Sequence, residues 1–384
     1  MTRIVARNRI VARNRIVIVG GGLGGLTLAR VLHVNGIESA VYELDESPTA
    51  RDQGGTLDLR EDTAQRALRA AGLFDEFRAL ARDEGEALRV VDAKGVVHVD
   101  EIPDEPGGRP EIDRSDLKRI LVESLPAGTV RWGAKVTAVT PSSITLADGE
   151  TVPADLVVGA DGAWSKVRPL LSDARPVYSG LSFVETHLSD VDSRHPELAA
   201  FVGAGSMWGL GDGKGVIAQR NGDGRIRVYV AIRAEDENWV STDLVEADPA
   251  QTRLRLLEIF DDFAEPLRGL IADGDDVFVP RPIHALPVGH SWPRVPGVTL
   301  LGDAAHLMSP FAGEGANLAM LDAAELAQAL AAHDDVESAL AAFEAAMFPR
   351  AEASAAESAS NLVAFFEPGS AERIGRMMAE WSGQ

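Results

Sequence analysis

Residues 16–25 read Ile16-Val17-Ile18-Val19-Gly20-Gly21-Gly22-Leu23-Gly24-Gly25, four apolar residues running straight into a glycine cluster. A short apolar run bounded by turn residues marks a strand buried on both faces. Leu26 to Asn35 then follows a helical period and stops at Gly36, in the place of a C′ glycine. Glu38 to Glu43 reads as a second strand, which completes a strand–helix–strand unit. Inside the cluster, Gly20, Gly22 and Gly25 form G-x-G-x-x-G. Gly20 permits a tight turn, Gly22 lets the backbone approach a pyrophosphate, and Gly25 lets the helix pack close to the sheet. The free N–H groups and positive dipole end of the helix then face the phosphates. Glu43, about 20 residues past the glycines, ends the next strand where a carboxylate accepts from ribose hydroxyls.

Two later segments have the same strand-to-turn form. Asp155 to Arg168 (DLVVGADGAWSKVR) runs into Gly159-Ala160-Asp161-Gly162, and a helix begins with Ser165, Lys166 and Arg168. Alone, this also reads as an ordinary strand-to-helix turn. Leu300 to Asn317 (LLGDAAHLMSPFAGEGAN) ends a strand at Gly302-Asp303, with Asp303 placed to accept from a polyol. Pro310 to Asn317 is a glycine-rich turn opening a long helix from Gly315 to about Ala332. Free N–H groups at Gly315, Ala316 and Asn317 would face an electron-rich ring and stabilise negative charge on it. A plain helix start is the alternative there. His306 alone reads as a packing or hydrogen-bonding residue.

Around these segments the chain divides into two lobes. Thr63–Ala71 and Leu73–Arg82 read as helices split by Gly72. Leu88–Val91 and Val96–Val99 read as a hairpin about Lys94-Gly95, and Ser115 as the N-cap of a helix through Ser124. Short strands recur from Arg131 to Val158. From about Pro176 to Pro282, strand-like runs (Leu181–Leu188, Val216–Gln219, Ile226–Ile232) alternate with glycine-rich turns, interrupted by one helix at Thr252–Phe263. The expected fold is therefore α/β: a Rossmann-type domain, a second and mostly antiparallel sheet domain, and C-terminal helices. The expected bounds are 15–72, 98–175 and 283–335 for the nucleotide domain. The second domain takes 73–97 and 176–282, and the closing helices 336–384, with breaks near Pro349 and at Pro368-Gly369. Residues 1–14 repeat RIVARN ahead of the first strand and read as an extension without function.

Composition narrows the function classes. The chain has 384 residues, 45% hydrophobic and 25% charged, which suits a globular protein with a large core. Its net charge of −22 repels phosphate backbones and anionic lipid, so nucleic-acid and membrane-surface roles are disfavoured. Cysteine is absent, which excludes disulfides, thiolate metal sites and a cysteine nucleophile, and fits a reducing cytoplasm. No metal site is read, and no run is long and apolar enough for a membrane span.

Taken together, the glycine fingerprint, the internal Asp161-Gly162 and the late Gly302-Asp303 resemble the class A flavoprotein monooxygenases, of the para-hydroxybenzoate hydroxylase-like fold. Glu43–Leu59 (ELDESPTARDQGGTLDL), Pro110–Leu117 (PEIDRSDL) and Gly302–Asn317 look like the tetracycline-inactivating, TetX-type members. That resemblance implies FAD as cofactor and NADPH (or NADH) as reductant. It implies that Asp58 and Arg114 contact the flavin, Asp303 its ribityl chain and Arg51 the nicotinamide nucleotide. Read singly, Arg51 and Arg114 are also solvated surface arginines, and Asp58 a strand-end acid capping a turn. The chain departs from the TetX-type pattern in two places: Leu44 stands where arginine usually follows the ribose acid. Glu185, Ser206 and Arg227 stand where the tetracycline clamp has glutamine, arginine and histidine.

The resemblance implies that NADPH reduces FAD, dioxygen adds at the flavin C4a, and the hydroperoxide transfers its terminal oxygen to a small phenolic, polyketide or tetracycline-like substrate. No Ser/His/Asp or paired-carboxylate set is needed, so no catalytic side chain is assigned. Pro310, Phe311 and Gly313 are expected to form the flavin-side wall of the substrate pocket. A monomer is implied by the same resemblance. Other readings are a halogenase or reductase on this scaffold, or a flavin- or drug-binding protein without turnover. The W-x-W-x-I-P segment usual in halogenases is absent.

Overall fold

The computed structural model describes residues 15–50, 54–102, 107–245 and 248–382. The extension 1–14 and Arg51 lie outside the described residues. The strand Ile16–Val19 sits near the centre of a five-stranded sheet, flanked by Leu156–Gly159 and Ser39–Tyr42. Val298–Leu300 and Val130–Arg131 form its edges, and all four pairings are parallel. Parallel strands are covered on both faces, which is why Ile16, Val17, Ile18 and Val19 are all buried despite showing no alternation. Helices Leu23–Val34 and Gly315–Ala332 pack against each other. Gly24 permits their approach: a Cβ there would lie 2.7 Å from the Leu301 side chain and 3.1 Å from the Ala319 carbonyl.

The second lobe is a seven-stranded sheet in the order 279–285, 177–188, 226–233, 214–220, 206–210, 88–92, 97–101. Its pairings are antiparallel except that of 206–210 with 88–92. Alternation assigns its faces. Val184, Leu188, Met207, Val216, Ala218, Val228 and Val230 point into one core with Leu256, Leu267 and Leu270 of two helices and with Phe260, which ends the first of them. Phe183, Glu185, Tyr229, Ile217 and Trp208 point the other way, toward the nucleotide lobe and the C-terminal helices.

Several local expectations change. The second lobe holds helices Val191–Arg194, Pro196–Val202, Pro249–Ile259 and Glu265–Ala272 rather than one. The expected boundary at 98 falls inside the strand Val97–Glu101, and that at 283 inside Val279–Ala285; both strands lie in the large sheet. Leu73 and Phe77, placed with the second lobe by sequence, are buried in the core of the first. Asp113, not Ser115, precedes the helix Arg114–Glu123. Its carboxylate is spent on Arg82 and on the N–H of Gly222, so it does not cap the helix by a side-chain bond.

Pro349 does not break the C-terminal helix, which runs from Val336 to Phe365 through it. An interior proline removes the bond to the carbonyl four residues back and costs about 3 kcal/mol. Tertiary packing offsets this: Met347 and Ala351 are buried on either side, and Phe348 meets Trp292 edge-on at 4.8 Å. No described helix is long and apolar enough to cross a membrane.

Candidate active site

Because the five strands run parallel, their carboxyl ends share one edge of the sheet. There the chain presents, side by side, Gly302-Asp303, Ala160-Asp161, Gly20 and Glu43. The three glycines of the first turn have different surroundings. Gly20 has φ 107°, and a Cβ there would lie 2.2 Å from the Ala160 carbonyl oxygen. A Cβ on Gly25 would lie 2.0 Å from the Gly20 carbonyl oxygen, so this glycine seats the helix on the turn. A Cβ on Gly22 would meet no protein atom within 4 Å. Gly22 is the N-cap of helix Leu23–Val34, and no side chain caps that end. The orphan N–H groups of the first turn are left open beside the free space at Gly22, which fits a phosphate ligand.

Glu43 is buried at the end of its strand. Its Oε2 accepts from the N–H of Gly21 at 2.5 Å and its Oε1 from that of Asp45 at 2.9 Å. The carboxylate is thereby held against the glycine turn. Asp161 is likewise fixed by its own turn: the Ser165 hydroxyl and the Lys166 N–H donate to it, each at 2.6 Å. Burial pushes its carboxyl above the ordinary range, against these donors. Asp303 is exposed and faces the start of helix Gly315–Ala332; a Cβ on Gly315 would lie 4.0 Å from its Oδ1. No side chain caps that helix, so Gly315, Ala316 and Asn317 carry the N–H groups without intrahelical acceptors.

Three connectors escaped the sequence reading or were given other roles. Arg168, read only as part of a helix start, is 3% exposed. Its Nε donates to the Ala304 carbonyl at 2.8 Å, and Nη2 to those of Ala163 at 2.8 Å and Asp303 at 3.1 Å. It therefore staples the Asp161 turn to the Asp303 turn. The Asn317 side chain is buried. Its Nδ2 donates to the Asp58 carbonyl at 2.9 Å and its Oδ1 accepts from the Arg60 N–H at 2.9 Å and Thr63 hydroxyl at 3.2 Å. Arg60 pairs with Glu314 and donates to the Ala312 carbonyl at 2.8 Å. These bonds clasp the Asp58 strand to the 312–317 turn across about 250 residues of chain.

Arg168→Lys tests the first connector. Lysine keeps the charge but loses the planar fork that reaches three carbonyls. The expected result is a loss of about 2–3 kcal/mol in denaturant unfolding of the apoprotein, each unmade bond to a charged donor costing about 1.5 kcal/mol or more. An unchanged midpoint would show that the two turns hold each other without the guanidinium.

Opposite this edge stands the inner face of the large sheet. Phe311 is buried and meets Phe183 at 6.0 Å, Phe365 at 5.8 Å and Phe366 at 5.5 Å between ring centres. It joins the glycine-rich turn to the sheet and the long helix, while Pro310 and Gly313 are exposed beside it. Glu185 and Arg227 form a buried ion pair, and Arg281 Nε reaches the other Glu185 oxygen at 2.9 Å. Ser206 pairs with Gln219, which pairs with Arg227, so Ser206 lies two strands, about 10 Å, from the ion pair. Tyr229 and Gln219, not singled out from sequence, crowd onto Gly55 with Arg227. A Cβ on Gly55 would lie 3.2 Å from the Tyr229 hydroxyl and 3.3 Å from each of the other two. Burial pushes the Tyr229 hydroxyl up to about 12, helped by Glu185 and opposed by Arg227, Arg114 and Arg281, so it is a donor at neutral pH. Arg114 opens its helix with its N–H on the Gly55 carbonyl. His306 hydrogen-bonds Asp322 at 2.6 Å in the core.

The chain matches the FAD binding domain family over residues 13–358. It is 31% identical to the monooxygenase penA of Penicillium thymicola, over 94% of this chain and 97% of that one. Its fold superposes on Klebsiella pneumoniae HpxO, crystallised with FAD and uric acid, with a TM-score of 0.79 at 21% identity, covering 98% of each chain. The tetracycline destructase Tet(55) superposes with a TM-score of 0.74 over 97% of this chain and 96% of its own; at 23% identity that likeness is one of fold alone.

Proposed function

The chain belongs to the FAD binding domain family and is an FAD-dependent monooxygenase, and from that premise we propose that it uses reduced nicotinamide nucleotide and dioxygen to hydroxylate a small electron-rich organic molecule. The observation that carries this reading is the presentation of four motif-bearing turns at the carboxyl edge of one parallel sheet, where doubly wound folds bind nucleotides.

The Gly20–Gly25 turn and its helix would hold the diphosphate, Glu43 the ribose and Asp303 the polyol chain. The N–H groups of Gly315, Ala316 and Asn317 would face the ring, and Asp58 and Arg114 would contact the flavin beside them. FAD supplies the redox and oxygen-activating chemistry, and the protein supplies binding, orientation and exclusion of water. The wall of Phe311 and Phe183 keeps the reaction space dry. Tyr229 retains its proton and donates to an oxygen of the substrate, with Glu185, Arg227 and Arg281 holding charge beside it. NADPH is the proposed reductant.

The test is oxygen and NADPH consumption by FAD-loaded protein against a panel of phenols, purines including uric acid, polyketides and a tetracycline. Uric acid is included because HpxO was crystallised with it, and a tetracycline because Tet(55) shares the fold. The expected result is a yellow protein whose oxidation of NADPH rises with one panel class, with a product heavier by one oxygen atom. A protein that cannot be loaded with FAD overturns the reading. Loaded protein whose NADPH oxidation no panel member alters overturns the proposed substrate class.

A further inference from the structure

The short ribbon of Thr56–Asp58 and Glu111–Asp113 sets Asp58 directly opposite Glu111. Residues opposed in an antiparallel pair project their side chains on one face. Two acidic side chains therefore leave the ribbon on one face at the border of the cofactor edge, where Asp58 also approaches Gly313. Glu111 is 5% exposed. Its Oε2 is buried without a hydrogen-bond partner among the described residues. It lies over Gly85, where a Cβ would come within 2.8 Å of the Glu111 Cβ and 3.0 Å of Oε2.

The surrounding charges do not supply a counterion to spare. Arg82, the cation that pulls on Glu111, gives Nη2 to Asp113 at 2.8 Å and to the Thr56 hydroxyl at 3.0 Å, and Nη1 to the Arg220 carbonyl at 3.1 Å. The Thr56 hydroxyl donates to the Ile112 carbonyl at 3.2 Å. Glu86, from the turn before the large sheet, adds a negative charge near Asp58 and is occupied by the Gly107 N–H. On the far side of Asp58, Arg60 is paired with Glu314, and Arg109 adds a weaker pull. An unpaired buried carboxylate is costly, and two that face each other are not both ionised at neutral pH.

We infer that Asp58 and Glu111 hold a single proton between them, and that Glu111 acts through Asp58 as a positioning residue, keeping one negative charge rather than two beside the cofactor. The inference rests on the reading that Asp58 lines the FAD site. Burial, then the charges of Asp58 and Asp113, push the Glu111 carboxyl up to about 8 against Arg82 and Thr56. Burial also pushes Asp58 up, against Arg60 and Arg109. The pair behaves as a unit and surrenders its shared proton as pH rises through about 8. The second charge then opposes an anionic cofactor.

The experiment measures FAD dissociation constants by fluorescence from pH 6 to 9.5 for wild type, Glu111→Gln and Asp58→Asn, with melting curves of each apoprotein over the same range. In wild type, FAD is expected to bind severalfold more weakly at pH 9.5 than at pH 7, and Glu111→Gln to lose that dependence. A carboxyl whose folded value is raised stabilises at low pH and loses that contribution as pH climbs through the folded value. Wild-type apoprotein should therefore lose Tm relative to Glu111→Gln as pH rises from 6 to about 8, and the difference should level off above that. Asp58→Asn should move the midpoint to lower pH, because Glu111 no longer faces a charge; this readout decides the matter if Glu111→Gln does not fold. Parallel pH profiles for wild type and Glu111→Gln, in both measurements, overturn the inference. Failure of wild type to bind FAD at any pH overturns the flavin reading and Glu111's positioning role. The apoprotein curves then still decide whether the proton is shared.

Discussion

Gly22→Ala is expected to leave the melting temperature of the apoprotein within a degree or so of wild type and to weaken FAD binding at least tenfold. Gly25→Ala is expected to destabilise the apoprotein itself. The contrast follows from what a single methyl group meets. At Gly22 it meets no protein atom, so anything it strikes is the ligand. A pyrophosphate held by the N–H groups of this turn would be displaced by roughly the radius of a methyl group, and losing one good charge-assisted contact is worth about 1.4 kcal/mol, a factor of ten. At Gly25 the methyl would stand 2.0 Å from a backbone carbonyl that belongs to the turn itself. Neither atom is at the end of a flexible side chain, so the helix must lift from the sheet. That overpacking costs about 1–3 kcal/mol or more, with the FAD site lost as a consequence. Apoprotein melting and fluorescence titration separate the two. Wild-type FAD affinity in Gly22→Ala would show that the phosphates do not pass over this turn.

The same distinction explains which parts of the site were legible in the sequence. Elements whose residues answer to local physics were read nearly to the residue: the strand Ile16–Val19, the helix Gly315–Ala332, and Gly72 after Ala71. The connectors were not. Arg60 follows Asp58 by two residues, yet its partners are Ala312, Glu314 and Asn317. Nothing in a period of 2 or 3.6 announces a bond across such a separation. The matching segment that ended at Leu59 stopped one residue short of it. Asn317 was expected to offer a backbone N–H, and it stands at that helix start. Its side chain, however, has the separate task of tying Asp58 and Arg60 to the turn. Arg168 looked like a residue of an incipient helix because its fork acts on carbonyls about 135 positions away. The opposite failure occurred at Pro349. There a strong local rule was overridden by buried neighbours that local reasoning does not weigh. In the second lobe, the short helices at 191–202 and 265–272 lack the length for a clear period, so the sequence alone does not distinguish them from loops.

Asp322→Asn is expected to cost about 3–5 kcal/mol, the range for breaking a buried ion pair by removing one partner, and to cost most near pH 5–6. Asp322 is fully buried on the helix Gly315–Ala332 and is the acceptor for three groups. His306 Nε2 lies at 2.6 Å, Arg350 Nη2 at 2.9 Å and the N–H of Gly302 at 3.1 Å. Burial pushes its carboxyl up, but His306, Arg350 and Gly302 together hold it below the ordinary range. Burial pushes His306 down, while the charge and hydrogen bond of Asp322, aided by Asp303, carry it above the ordinary histidine value. The two shifts define a window. A depressed carboxyl gives stability above its unfolded value, about 3.9, and loses it as pH falls further. A raised imidazole gives stability fully below its unfolded value, about 6.5, and loses it as pH rises through the folded value. The pair therefore contributes most between about pH 4 and 6.5. In Asp322→Asn, His306 sits buried with only the exposed Asp303 as a nearby anion and sheds its proton. The variant should thus recover ground at alkaline pH, where wild type has lost the histidine's share. Denaturant unfolding at pH 5.5 and pH 9 measures this directly. A gap between the two proteins that narrows at pH 9 supports the charged pair. A gap of equal size at both values would mean that His306 is neutral and that Asp322 is held by Arg350 and Gly302 alone. Because the asparagine oxygen can still accept from Gly302, the Gly302-Asp303 turn should survive the substitution. FAD affinity should then fall far less than stability does, which separates this charged hub beneath the cofactor edge from the residues that line it.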